Sequence, residues 1–152
     1  METNKEKSID ILNDLIQINN DRIEGYKHAA KETKESDLKD LFNKFAEDSQ
    51  KFKMELVSEV KNLGGTPIEG TRNSGKLFRV WMDIKAALTN RDRKAILNSC
   101  DTGEGVAVAN YEDALEDLDT SSSYYPLVRK QLEIIKEDRV NIKNLLDAVA
   151  VA

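Results

Sequence analysis

The segment NNDRIEGY, residues 19–26, lies at the middle of a long amphipathic stretch that runs from Lys5 to Thr33. Apolar side chains recur through this stretch at intervals of three and four residues, the spacing of one buried face of an α-helix. Asn19 falls near the centre of that face and Arg22 near its edge. A long apolar face with polar residues at its midpoint is typical of a bundle helix that carries a site.

The composition is that of a single globular domain over residues 1–152. Hydrophobic residues make up 39% of the chain, which is enough for an apolar core. The net charge is −5, and no segment concentrates Lys and Arg without acidic neighbours, so nucleic-acid binding and binding to anionic membranes are both disfavoured. The N-terminus lacks the apolar core of a signal peptide, and no apolar run is long enough to span a bilayer. The single cysteine, Cys100, is expected to be a packed thiol in a reducing compartment, so we expect a cytoplasmic protein.

Apolar periodicity predicts helices throughout the chain and no strand. Thr3 and Glu6 are spaced as a capping box at the start of the first helix. Gly64 and Gly65 are expected to end the second helix. Ser36 and Asn90 are expected to cap the second and fourth helices. The predicted helices span residues 5–34, 37–63, 74–88, 91–119 and 124–149.

The lengths of the connections predict how these helices are arranged. The first two long helices are joined by a very short turn, so they should form an antiparallel hairpin, and the last two should form another. A connection over residues 64–90 is longer than a simple up-down-up-down bundle needs. We therefore expect a four-helix bundle of two antiparallel hairpins, joined by a long crossover that carries a short extra helix. The up-down-up-down bundle is the alternative.

Three segments resemble a known family. NNDRIEGY, QKFKMEL at residues 50–56 and FRVWMDIKAAL at residues 78–88 are similar to motifs of a family of bacterial ferritin-like four-helix bundles, known only as a domain of unknown function. The resemblance extends over nearly the whole chain. It implies an all-α, ferritin-like fold and a bacterial context linked to stress or the cell envelope. It implies no reaction.

Ferritin-like di-iron proteins place a Glu on two helices and a Glu-x-x-His pair on the other two, all pointing inward. This chain has one histidine, His28, so a single chain cannot supply both imidazoles. Glu24, Glu47 and Glu137 project away from the apolar faces on a helical wheel. We therefore predict no metal site, no catalytic residue and no cofactor. A surface metal pair formed by His28 and Glu24 is a weaker alternative than an incidental pair of helix neighbours.

A layer of inward polar residues is predicted instead, near the middle of each hairpin. Counting residues outward from each turn places Glu104 and Arg139 at one level, and we expect them to form a charge-paired contact with Arg22 close by. Arginine suits the replacement of a metal charge because its planar fork bonds carboxylates without titrating. The alternative is that these residues sit at the edges of the apolar faces and reach water. The predicted layer comprises Asn19, Arg22, Ser49, Glu104, Asp138 and Arg139.

Trp81 is expected to anchor the short crossover helix to the bundle. Three classes of function remain open on the sequence. The first is a non-catalytic structural or interaction module in a bacterial stress response, with a second copy of the chain or another protein as partner. The second is a metal-binding or oxidoreductase bundle that uses carboxylates or a site between subunits. The third is a carrier of a small ligand in the bundle interior.

Overall fold

The computed structural model describes residues 3–71 and 75–151, with side chains described as far as residue 149. The described residues form α-helices and no strand, so the expected all-α helical bundle is confirmed at that level. None of these helices is both long and apolar enough to cross a membrane. The helices are α1 (Asn4–Glu32), α2 (Ser36–Asn62), α3 (Lys76–Thr89), α4 (Arg93–Asp117) and α5 (Tyr124–Val151).

Helix ends follow the predicted chemistry at some positions and depart from it at others. The capping box is confirmed, because Thr3 accepts from the amide of Glu6 at 3.1 Å and Glu6 accepts from the amide of Thr3 at 3.1 Å. The predicted cap at Ser36 is wrong, since α2 begins at that residue. The predicted start of the short helix at Ser74, and the end of the preceding loop at Asn73, lie outside the described residues.

The predicted cap at Asn90 is also wrong. Asn90 follows the last residue of α3, and its amide donates to carbonyl oxygens of that helix. The chain then reverses through Arg91, whose φ of 54° is left-handed, and Asp92 accepts from the amide of Ala95 at 3.1 Å. Asp92 therefore does what Asn90 was expected to do, two residues later.

Side-chain contacts fix the relative directions of the long helices. Arg22 of α1 bonds Ser49 of α2. A Cβ added at Gly65, just beyond α2, would lie 2.8 Å from Ile9 near the start of α1. The two helices therefore run in opposite directions. The α4–α5 pair does likewise, because Tyr111 meets Gln131 near one end and Asp101 meets Arg139 farther along.

The core is divided into two apolar clusters, one toward each end of the bundle. The lower cluster contains Leu15, Phe52, Tyr111 and Ile135 among its buried members. The upper cluster is built around Tyr26, Phe42, Phe45, Cys100 and Ile142. Each of the four long helices contributes to both clusters. Between them each long helix carries at least one buried polar residue: Arg22 on α1, Ser49 on α2, Glu104 on α4 and Asp138 on α5 are examples.

Helix α3 packs closely on α1 and α4. The ring of Trp81 occupies the space that a Cβ at Gly25 would need, only 2.4 Å from that position, and Val80 approaches the corresponding point at Gly103 to 2.9 Å. The absence of side chains at Gly25 and Gly103 therefore permits this fit.

The loop before α3 is held along α1 by two asparagines spaced seven residues apart. Asn13 donates to the carbonyl of Thr66 at 3.1 Å and accepts from the amide of Ile68 at 2.9 Å. Asn20 donates to the carbonyl of Gly70 at 2.8 Å. These bonds satisfy backbone groups of a segment that has no secondary structure of its own.

Candidate functional site

Arg22 is the largest fully buried side chain among the residues that the structure describes, and it lies between the two apolar clusters. Its Nη2 donates to both carboxylate oxygens of Glu104, at 2.8 and 3.0 Å, and its Nη1 donates to the hydroxyl of Ser49 at 3.0 Å. The hydroxyl of Tyr26 donates to the same Glu104 carboxylate. Glu104 therefore receives a charged donor and a phenol, in a position closed to water.

A second buried carboxylate, Asp138, shares the same guanidinium less closely. Its Oδ2 lies 3.6 Å from Arg22 Nη2 and has no hydrogen-bond donor among the described residues. Its Oδ1 accepts from Lys44 Nζ at 3.2 Å, and Lys44 also bonds Asp48 at 3.0 Å. The Lys44 side chain is 54% exposed while that of Asp138 is 1% exposed, so a surface cation reaches a buried anion.

Burial and charge shift these groups in different directions. Burial alone would lower the pKa of Arg22, but Glu104, Tyr26 and Asp138 together outweigh it, and the pKa is raised above the usual range. Burial, with the negative charge of Glu104, raises the pKa of Tyr26 well above its ordinary value. For Asp138, burial raises the pKa to about 6 although Arg22 opposes the shift. The buried layer thus sets one guanidinium, that of Arg22, against the carboxyl groups of Glu104 and Asp138, with Lys44 as the nearest further cation.

A second polar layer lies about one helical turn away. Asn19 donates to the hydroxyl of Tyr111 at 2.8 Å, and Tyr111 donates to Gln131 at 2.7 Å. Gln131 in turn donates to the carbonyl of Phe52 at 3.3 Å. This chain of bonds joins α1, α4, α5 and α2, and Gln131 also donates to the carboxylate of Glu55 at 3.3 Å. Asn19, Tyr111 and Gln131 are themselves neutral, so they serve to align the helices rather than to hold charge.

The predicted contact between Glu104 and Arg139 is wrong. Arg139 donates through Nε to Asp101 at 2.9 Å, and the two side chains are 34% and 25% exposed. Glu104 pairs with Arg22 instead. Consecutive helical residues point about 100° apart, so Asp138 and Arg139 cannot both face the centre of the bundle, and Asp138 takes the inward position. Arg139 therefore does not belong to the buried layer.

The other five residues of the predicted layer, Asn19, Arg22, Ser49, Glu104 and Asp138, are buried. Sequence reasoning missed Tyr26, Lys44, Tyr111 and Gln131. The rings of Tyr26 and Tyr111 fit the apolar faces of their helices, so the spacing of the sequence gives no indication that their hydroxyl groups join a polar layer. Tyr26 follows Arg22 by four residues, which places the two side chains on the same face of a helix, and this spacing was the one sequence signal that could have added Tyr26 to the layer.

The described residues do not fit a di-metal centre. The position between Glu104 and Asp138 is filled by a guanidinium that supplies five donors and no acceptor. No group of three or more His, Cys, Asp or Glu side chains arranged to hold a metal ion occurs in the described ranges. The prediction that Glu24, Glu47 and Glu137 point outward is confirmed, because all three are exposed, as is His28.

Trp81 and Cys100 lie in the upper half of the bundle. Trp81 is half-buried and contacts the Tyr26 ring edge-on, with ring centroids 4.9 Å apart, so it links α3 to α1. Cys100 is fully buried, and burial raises the pKa of its thiol, so it stays protonated and unreactive at neutral pH.

Comparison with known proteins places most of the chain within one family. The family model described as "Domain of unknown function (DUF2383)" matches residues 7–117, from the first turns of α1 to the end of α4. A comparison with curated proteins finds no match.

Proposed function

The chain belongs to the DUF2383 family, and we propose that it is a ferritin-like four-helix bundle that serves as a non-catalytic structural or interaction module. In this proposal an internal ion-pair layer stands where relatives with a ferritin-like fold hold metal. The bacterial, stress-related setting is part of the proposal and is carried by the resemblance of the three sequence motifs.

The contacts between helices support a ferritin-like path of the chain. Arg22 meets Glu104, so α1 runs opposite to α4 as well as to α2. Lys44 meets Asp138 and Phe52 meets Gln131, so α2 runs opposite to α5. Helices α2 and α4 then run in the same direction, and the segment between them has to return along the bundle. An up-down-up-down bundle would place these consecutive long helices in opposite directions.

One observation carries the functional part of the proposal: the Arg22 guanidinium, 1% exposed, lies between carboxylates of α4 and α5 at the middle of the bundle. Two cations on the protein's own chain, Arg22 and Lys44, neutralise those carboxylates without binding anything from solution. They cannot change oxidation state or open a coordination position. The arrangement therefore favours alignment and pairing of helices over redox chemistry.

Elemental analysis after anaerobic loading with Fe(II), and separately with Mn(II) and Zn(II), tests the proposal. We expect less than stoichiometric metal after gel filtration and no ferroxidase activity. Two irons per chain with ferroxidase activity would contradict the proposal and favour the metal-binding alternative.

A further inference from the structure

The indole of Trp81 lies between the surface of the protein and its core. Trp81 lines a cleft of about 270 Å³ between α1 and α3, and it also packs against both apolar clusters. The residue is half-buried, but its Nε1 is closed to water and has no hydrogen-bond partner within the described ranges. A small solute in the cleft can therefore contact Trp81 without contacting its N–H group.

Tyr26 is the aromatic residue that connects this indole to the interior. Tyr26 is 2% exposed, and its ring meets that of Trp81 edge-on, with centroids 4.9 Å apart and planes at 89°. Within the described part of the chain its other ring contacts are with Phe42 and Phe45. An indole and a phenol lose an electron far more readily than a phenyl ring does, so Trp81 and Tyr26 are two oxidisable rings in direct contact.

The two rings differ in what can accept their proton. Loss of an electron makes an indole N–H and a phenol O–H strongly acidic. The hydroxyl of Tyr26 already donates to Glu104, whereas the N–H of Trp81 has no acceptor among the described residues. Oxidised Trp81 would therefore keep its proton and its positive charge in a half-buried position, which is costly. Oxidised Tyr26 can become neutral by passing its proton along an existing hydrogen bond.

The charged layer can take up that proton without stranding a charge. Glu104 is 1% exposed and accepts two bonds from Arg22, at 2.8 and 3.0 Å. When Glu104 is protonated, the guanidinium still faces Asp138, whose Oδ2 lies 3.6 Å from Nη2 and has no hydrogen-bond donor in the described structure. Arg22 therefore keeps a carboxylate partner and does not become an unpaired buried cation.

We propose that Trp81, Tyr26 and Glu104 form a relay that carries an oxidising equivalent from the cleft into the interior. A one-electron oxidant in the cleft takes an electron from Trp81 and is itself reduced. Trp81 then takes an electron from Tyr26, while the O–H bond of Tyr26 breaks and its proton bonds to a carboxylate oxygen of Glu104. The products are an intact indole, a neutral tyrosyl radical and a neutral glutamic acid.

The charged layer supplies only the proton acceptor in this relay, and the electrons come from the two rings. No metal takes part. The relay is therefore independent of the function proposed above, because metal loading tests that function and leaves the relay unaffected.

Pulse radiolysis of the full chain in azide solution tests the relay. The azidyl radical is a one-electron oxidant that attacks indole in preference to phenol, and the chain contains one tryptophan, so Trp81 is its target. We expect the absorption of the indole radical to decay at a rate independent of protein concentration, while the absorption of a tyrosyl radical grows at the same rate. The transfer should be slower in heavy water, because an O–H bond breaks in it.

Two tyrosine variants identify the electron donor. Tyr26→Phe keeps the packing of the ring but removes the hydroxyl, and it should abolish the transfer. Tyr111→Phe is the matched control, because Tyr111 is also fully buried but its hydroxyl bonds the amides of Asn19 and Gln131 instead of a carboxylate. This variant should transfer at the rate of the parent.

Glu104→Gln tests the proton acceptor, provided that circular dichroism shows the variant to be folded. It should slow the transfer by about 100-fold, the lower end of what a positioned proton acceptor contributes. The relay is overturned if Tyr26→Phe transfers at the parent's rate, if Tyr111→Phe loses the transfer as Tyr26→Phe does, or if the parent transfers equally fast in heavy and ordinary water.

Discussion

Arg22 and Glu104 form a buried pair, each about 1–2% exposed, so removal of either partner leaves a charge without its counterpart. We expect Arg22→Met alone or Glu104→Gln alone to lower the free energy of unfolding by about 3–5 kcal/mol. The double variant should recover much of that loss because no unpaired charge remains. Urea denaturation of the four proteins of the cycle measures the coupling.

The surface pair of Arg139 and Asp101 supplies the control for this cycle. Its members are partly exposed, at 34% and 25%, so Arg139→Met should cost no more than about 1 kcal/mol. Strictly additive effects of Arg22→Met and Glu104→Gln, each as small as that of the control, would show that the central pair contributes no coupling.

We expect Asp138 to make the free energy of unfolding depend on pH with a sign opposite to that of a salt-bridged surface carboxylate. Burial raises its pKa from 3.8 to about 6, so the folded state binds the proton more tightly than the unfolded state. Its stabilising contribution is complete below about pH 4 and is lost as pH rises through 6, amounting to about 3 kcal/mol. Asp138→Asn should therefore gain stability relative to the parent between pH 4 and 7, as measured by urea denaturation. A difference that does not vary with pH would exclude this titration.

At the scale of the helices, we expect the substitution of glycine by alanine to have opposite effects on stability at Gly25 and at Gly105. Gly25→Ala places a Cβ 2.4 Å from the ring of Trp81, so the clash should outweigh the gain in helix propensity and destabilise by about 1–3 kcal/mol. For Gly105→Ala the nearest atoms to the new Cβ belong to the guanidinium of Arg139, at 3.2 Å, and that flexible side chain can move away. This substitution should be neutral or stabilising by up to about 1 kcal/mol. Thermal melting, with Trp81 emission as the local readout, distinguishes them; equal effects would mean that α3 is not closely seated on α1.

Helix identity was predictable because each long helix repeats its apolar spacing over many turns, as α1 does around Leu12, Leu15 and Ile16. The ends of the helices were harder to predict. Asn90 and Asp92 are both good capping residues, and which one caps depends on where the chain reverses, at Arg91 in this case.

The partner of Glu104 could not be read from the sequence in the same way. Counting residues from a turn gives a level along the bundle axis but not which neighbouring helix a side chain meets. At the level of Glu104, both α1 and α5 were candidates, and Arg22 reaches it from α1 while Arg139 turns toward Asp101. The residue that donates to Asp138 was harder still to predict, because Lys44 is largely exposed and approaches from the surface of α2.

In the molecule as a whole, the charged layer separates regions that would otherwise form one continuous apolar interior. Each long helix contributes to the lower cluster at one end and to the upper cluster at the other, with a buried polar residue between them. Helix α3 spans the level of Arg22, because its Leu77 belongs to the lower cluster, its Val80 and Ile84 belong to the upper one, and Trp81 packs against both.

The boundary between cooperative folding units should consequently run across the helices instead of between them. Amides near Leu15 and those near Phe52, on different helices, should exchange hydrogen with a common opening free energy, distinct from that shared by amides near Ala29 and Phe42. The upper unit should open first, because among the described residues of α5 it receives one fully buried apolar side chain, that of Ile142. The charged layer would then be the boundary at which one half of the bundle opens locally, while the helices of the other half keep their native register.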